Sequence, residues 1–118
     1  MAKSAVGKWL DRKYIAWQHE LGESKTIAEF VKNLGISRAS FDKWSNGERM
    51  PDPESVRLLA VKCKDYQIYD LVGLPKPSKD MQRLMELFPN LTEEQRRQIL
   101  ELAEQNAATN KEHKVGAV

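Results

Sequence analysis

Arg38, Ala39, Asp42 and Lys43 lie within six residues of one another. At about 100° per residue, that spacing lays all four along one side of a helix. Their chemistry is recognition, not bond-making. The planar guanidinium of Arg38 matches the O6 and N7 acceptors of guanine, and Lys43 can reach a guanine or a phosphate. Ala39 is short enough to let a helix approach closely and touch a thymine methyl. Asp42 has three readings: an acceptor for a cytosine amino group, a partner for Arg38 four residues back, or a charge that repels phosphates. A second set is of phosphate-holding type. Lys25 and Thr26 stand where a helix N-terminus presents free backbone N–H groups. Ser37 and Ser40 offer hydroxyls, and Asn46 and Arg49 form a clamp at the far end. Such contacts fix register and supply salt-dependent affinity without reading sequence.

These side chains need two short helices to position them. From Thr26 to Leu34, Ile27, Phe30, Val31 and Leu34 form the i, i+3, i+4, i+7 stripe of an amphipathic helix. Gly35 follows where a left-handed residue ends a helix, and Ser37 stands where an N-cap belongs. In the next helix Phe41 and Trp44 fall on the core side, with Ser40 at its edge, and Asn46-Gly47 supplies the stop. Two helices joined by a short glycine-containing turn are the signature of a helix-turn-helix.

The run IAEFVKNLGISRASFDKWSNGERMP, followed by PESVRLLAVKC and YQIYDLVGL, resembles the Cro/cI-type helix-turn-helix of lambda-repressor-like regulators. The resemblance rests on the ordered set Gly35, Ser37, Phe41, Asn46-Gly47, Pro51 and Leu59-Ala60, and covers about Val6 to Leu74. It implies an all-α, five-helix domain whose recognition helix, about Ser37–Asn46, enters the major groove of double-stranded DNA in a repressor-like transcriptional regulator. Two departures bear on the site, and one is Asp42 on the expected DNA face. Family members commonly carry a phosphate-bonding glutamine at the position of Ile27, and that contact is absent here.

The remaining elements are also expected to be helical. Helix 1 spans about Ala5 to Leu21, with Val6, Trp9, Leu10, Tyr14, Trp17 and Leu21 inward. Helix 4 opens at Asp52-Pro53, an N-cap followed by proline at the first helical position. Helix 5 runs from about Tyr66 to Val72. The chain thus divides into residues 1–74, the DNA-binding domain; 75–79, a semi-rigid Pro-Lys-Pro-Ser linker; 80–108, a C-terminal helical pair; and 109–118, a flexible tail. In the pair, Met81, Leu84, Met85 and Phe88 form one stripe. Thr92 to Gln95 forms a capping box, and Ile99, Leu100, Leu102, Ala103 and Ala107 form the second stripe. These stripes call for cover, either within the chain or in a homodimer. A homodimer would read two half-sites about 34–36 Å apart.

Composition narrows the alternatives. The 118 residues carry a net charge of +2, unevenly placed. Met1–Lys64 holds 12 Lys/Arg against 8 Asp/Glu, and Asp65–Val118 holds 7 against 9. A basic half joined to an acidic half suits a phosphate-facing module attached to a protein-facing one. No apolar run suffices to cross a membrane, and no secretory leader is visible, so a cytoplasmic protein without a membrane partner is expected. The single Cys63 lies in the apolar stripe of helix 4 and reads as a small buried hydrophobe. His19 and His113 lack metal-ligand spacing, and no nucleophile or phosphate-loop signature occurs. The expectation is therefore no enzyme, no cofactor and no metal. The competing reading is a protein-interaction or antitoxin-like module, in which the helix-turn-helix is a scaffold and the C-terminal helices hold a protein partner.

Overall fold

The computed structural model describes the backbone of residues 3–116 and the side chains of residues 3–107. All regular structure among the described residues is helical: α1 Ala5–Leu21, α2 Ile27–Leu34, α3 Arg38–Asn46, α4 Pro53–Cys63, α5 Gln67–Leu71, α6 Lys79–Leu87 and α7 Glu93–Gly116, with a 3-10 turn at Phe88–Asn90. The chain forms two compact units, Met1–Ser78 and Lys79–Val118.

In the first unit α1 packs on α3 and α5, α2 packs on α3, and α4 packs on α5. The core follows the apolar stripes. Val6, Trp9 and Leu10 of α1 are buried with Phe30, Val31 and Leu34 of α2, Phe41 and Trp44 of α3, and Val56, Leu59 and Ala60 of α4. Phe30 joins three helices. Its ring centroid lies 5.3 Å from Tyr14, 5.5 Å from Trp17 and 6.4 Å from Phe41, the last edge-on, which are favourable aromatic geometries. The inward face of α1 is shorter than its periodicity suggests. Tyr14 and Trp17 are half-buried, and Leu21 is 47% exposed, because the stripe outruns the helices beneath it.

The first three helices are capped by side chains, whereas Asp52 at the start of α4 makes no such cap hydrogen bond. Ser4 caps α1, Thr26 caps α2 and Ser37 caps α3, each through a side-chain oxygen accepting a backbone N–H. α2 and α3 both stop at left-handed glycines, Gly35 and Gly47, each with φ of 76°. A Cβ would be strained in that conformation.

In the second unit the Thr92–Gln95 capping box forms in both directions, at 2.9 and 3.1 Å. Arg96 ties the start of α7 to the 3-10 turn by donating to the carbonyls of Phe88 and Pro89 at 3.1 and 2.8 Å. No side chain of α6 is buried, and Leu100 and Leu102 of α7 are 56% and 58% exposed. The backbone of α7 continues to Gly116, whereas the sequence suggested a helix ending near Ala107 and a flexible tail over 109–118. Helical propensity along NAATNKEHK is adequate for continuation, and no proline or mid-segment glycine stops it. Residues 117 and 118 of that expected tail lie outside the described residues. None of the helices, as far as described, is long and apolar enough to cross a membrane.

Candidate nucleic-acid interface

α3 presents two distinct faces. Phe41, Trp44 and Ser45 are buried, whereas Arg38, Ala39, Asp42, Lys43 and Asn46 are exposed. The four base-reading candidates therefore share one open surface. The cap at Ser37 starts the helix immediately before Arg38, so this surface begins at the helix N-terminus. Within it, Arg38 Nε donates to Asp42 Oδ1 at 3.1 Å. Both side chains of this pair are more than half exposed. An exposed i, i+4 pair contributes little to stability. It does hold the guanidinium along the helix and lowers the net positive charge of the face.

The phosphate candidates behave differently from one another. Asn46 and Arg49 are exposed at the exit of α3 and its following loop. The Ser37 hydroxyl is committed to the helix start, accepting the Ser40 N–H at 3.0 Å and donating to Ser40 Oγ at 2.9 Å. Ser40 is half-buried. Its hydroxyl proton is not used in the bond from Ser37, so it remains the better donor of the two.

The start of α2 departs from the sequence reading. Thr26 and free backbone N–H groups are expected to face outward there, with Lys25 beside them. A capping box instead takes two of the N–H groups. Thr26 N–H donates to Glu29 Oε2 at 2.8 Å, and Glu29 N–H donates to Thr26 Oγ1 at 3.1 Å. Lys25 is also engaged. Its backbone N–H donates to Gln18 Oε1 at 2.8 Å, and its ammonium pairs with Glu23 at 3.0 Å. The hydrogen bond and charge of Glu23, then the charge of Glu29, push the Lys25 ammonium above its ordinary range. Two carboxylates thus sit where an anion was expected. The signal was in the sequence: Thr26-Ile27-Ala28-Glu29 is the same pattern that marks Thr92–Gln95.

A second contact that sequence reasoning missed holds α3 against α1. Ser4 N–H donates to the Ser45 carbonyl at 3.0 Å, and Ser4 Oγ donates to the Trp44 carbonyl at 2.7 Å while accepting Gly7 N–H at 3.0 Å. One hydroxyl caps the N-terminus of α1 and takes a carbonyl near the C-terminus of α3. The last turn of α3 is thereby fixed on the body of the domain, which sets the direction in which Arg38 and Lys43 project. Only the general N-cap preference of serine was visible from sequence.

Elsewhere in this unit, Lys13 pairs with Asp65 and lies 5.6 Å from the Trp9 ring centroid. Burial acts to raise the Asp65 carboxyl. The hydrogen bond from Lys13, the Gln67 N–H at 3.0 Å and the Lys13 charge outweigh it and hold the carboxyl below the usual range. Burial pushes the Cys63 thiol up to about 11, so it stays protonated near neutrality. Among the described residues no three His, Cys, Asp or Glu side chains group in a way that could hold a metal.

The chain matches no protein-family model, and neither a curated protein nor a solved structure is significantly similar to it.

Proposed function

We propose that Met1–Ser78 is a five-helix, lambda-repressor-like helix-turn-helix domain, and that the protein is a sequence-specific, repressor-like binder of double-stranded DNA. α2 and α3 form the helix-turn-helix, with α3 entering the major groove N-terminus first. The observation that carries this reading is the division of α3. Phe41 and Trp44 anchor it, while Arg38, Ala39, Asp42 and Lys43 are all presented on the opposite, open side. A groove-reading helix requires that division. Arg38 and Lys43 are the base-reading cations. Asn46, Arg49 and the Ser40 hydroxyl contact phosphates. The start of α2 has a smaller part than its N-terminal position suggests, because Glu29 takes the Thr26 N–H and Glu23 pairs with Lys25.

One such helix touches few base pairs, and the apolar surface left open on Met81, Leu84, Leu87, Leu100 and Leu102 suits self-association. A homodimer through residues 79–107 gives two-fold recognition. The same open surface favours a second reading, a protein-interaction module in which these helices hold a different partner.

The deciding experiment is selection of bound duplexes from a randomised library at fixed, physiological salt. A two-fold motif with half-sites about one helical turn apart is expected. Retention without enrichment reduces the reading to non-specific binding. No retention by the folded protein overturns it in favour of the protein-partner reading.

A further inference from the structure

On the first unit, away from α3, the C-terminal halves of α1 and α2 and the end of α4 enclose a groove of roughly 230 Å³. Trp17 supplies its accessible apolar wall, over Phe30 and Leu34, which are only 1% and 2% exposed, and its rim carries Lys13, Lys62 and Lys64, with Glu20 the carboxylate among the lining residues. Lys13 is already paired with Asp65. The ammonium groups of Lys62 and Lys64 have no carboxylate partner among the described residues. The space falls below the range of about 300–1,000 Å³ typical of small-molecule sites. It suits one large apolar side chain presented by another protein, in the manner of a buried anchor.

The backbone at the rim is also unusual. Among the described residues, Lys64 is the one non-glycine with positive φ, at 52°. It ends α4 in the left-handed conformation that Gly22, Gly35 and Gly47 supply for α1, α2 and α3. A side chain is disfavoured in that conformation, and here it places an additional cation on the rim. The groove therefore sets the Trp17 ring beside a basic edge on which Lys62 and Lys64 lack a carboxylate partner among the described residues.

We infer that this groove is a docking site for an acidic protein segment that inserts a single aromatic or aliphatic anchor between α1, α2 and α4, its carboxylates meeting Lys62 and Lys64. The charge complementarity identifies the partner class. The lining includes no residue of α3, so docking leaves the DNA-facing surface open and can join the regulator to another protein while it occupies DNA. The site itself does not depend on the DNA-binding reading.

The test is selection from a displayed library of random dodecapeptides on the full-length protein, followed by titration with the enriched synthetic peptide. Trp9 and Trp44 are buried to 0% and 3% exposure, so a fluorescence change on binding reports Trp17. Trp17→Phe supplies the blank for that signal. The expected result is enrichment of acidic peptides with one large apolar residue and a shift of Trp17 emission. Affinity should fall about tenfold or more in K62E/K64E, the scale of like-charge juxtaposition at an interface, with the helical circular dichroism unchanged. Peptides without acidic bias, binding indifferent to K62E/K64E, a silent Trp17, or no enrichment would each overturn the proposal.

Discussion

Gly7 rests directly on the backbone of Ser45. A Cβ at position 7 would stand 2.5 Å from the Ser45 carbonyl oxygen and 3.0 Å from its Cα. The obstacle is main chain in the last turn of α3, so no side-chain rotation can relieve it. Beside it, Ser4 takes the Ser45 and Trp44 carbonyls, and the two contacts together lock the C-terminal end of α3 to α1.

Gly7→Ala should therefore destabilise the domain by about 1–3 kcal/mol, the usual cost of overpacking, although alanine is the better helix former. Ala5→Gly, on the exposed side of the same helix, should cost only about 0.5–1 kcal/mol. Urea denaturation of the two variants distinguishes a steric origin from simple propensity, and a Gly7→Ala variant as stable as the parent or more so would deny the close approach. Because the contact fixes α3, Gly7→Ala should also weaken DNA binding by more than its remaining folded fraction explains.

Glu29→Gln separates capping from charge. Glutamine can still accept the Thr26 N–H, so the box is retained, and only the dipole interaction of about 0.3–1 kcal/mol is lost. Removing the carboxylate should raise duplex affinity and steepen its salt dependence, since Lys25 and the free end of α2 then meet phosphate with less repulsion. Binding isotherms at two salt concentrations measure both. An unchanged affinity would mean that this end of α2 does not approach the duplex.

What the sequence discloses and what it hides divide along a physical line. Stripes such as Phe30-Val31-Leu34 and Phe41-Trp44 are local and periodic, so the helices and their buried faces follow from spacing alone. So does the Arg38–Asp42 pair, which needs nothing beyond one helical turn. The Ser4–Ser45 clamp spans 41 residues and depends on how α1 crosses α3, which no local pattern encodes. The groove below Trp17 and the left-handed Lys64 are likewise products of tertiary packing. The capping box at Thr26 is a different case, since the Thr26-x-x-Glu29 pattern is local and legible in the sequence.

Asp42→Ala releases Arg38 from its 3.1 Å partner and removes a negative charge from the open face of α3. If the pair is only a tether, affinity for unrelated duplexes should rise, and the selected site should be bound at least as tightly. If Asp42 accepts from a cytosine, affinity for the selected site should fall by about 1–3 kcal/mol, with relaxed preference at that base. Arg38→Ala should lose about the same energy at its own position in either case. Its effect on folding should remain within about 0.5 kcal/mol, as for other exposed positions. Parallel binding to the selected site and to a scrambled duplex distinguishes these outcomes.

The Lys13–Asp65 pair gives the first unit an acid-sensitive component. Asp65 has a folded-state pKa below that of the unfolded chain, where an aspartate titrates near about 3.9. The folded state therefore binds this proton less readily than the unfolded state. Its contribution is fully present above the unfolded value and is lost as the pH falls through the lowered, folded value. Asp65→Asn should consequently narrow the difference between the melting temperatures at pH 7 and pH 3. It should also lower stability at pH 7, because Lys13 is left three-quarters buried beside the Trp9 ring without its counter-charge. Lys13→Met removes the stranded cation and, paired with Asp65→Asn, should recover part of that loss. Thermal melts of the single and double variants across this pH range measure the coupling, and purely additive losses would show that the two groups do not act together.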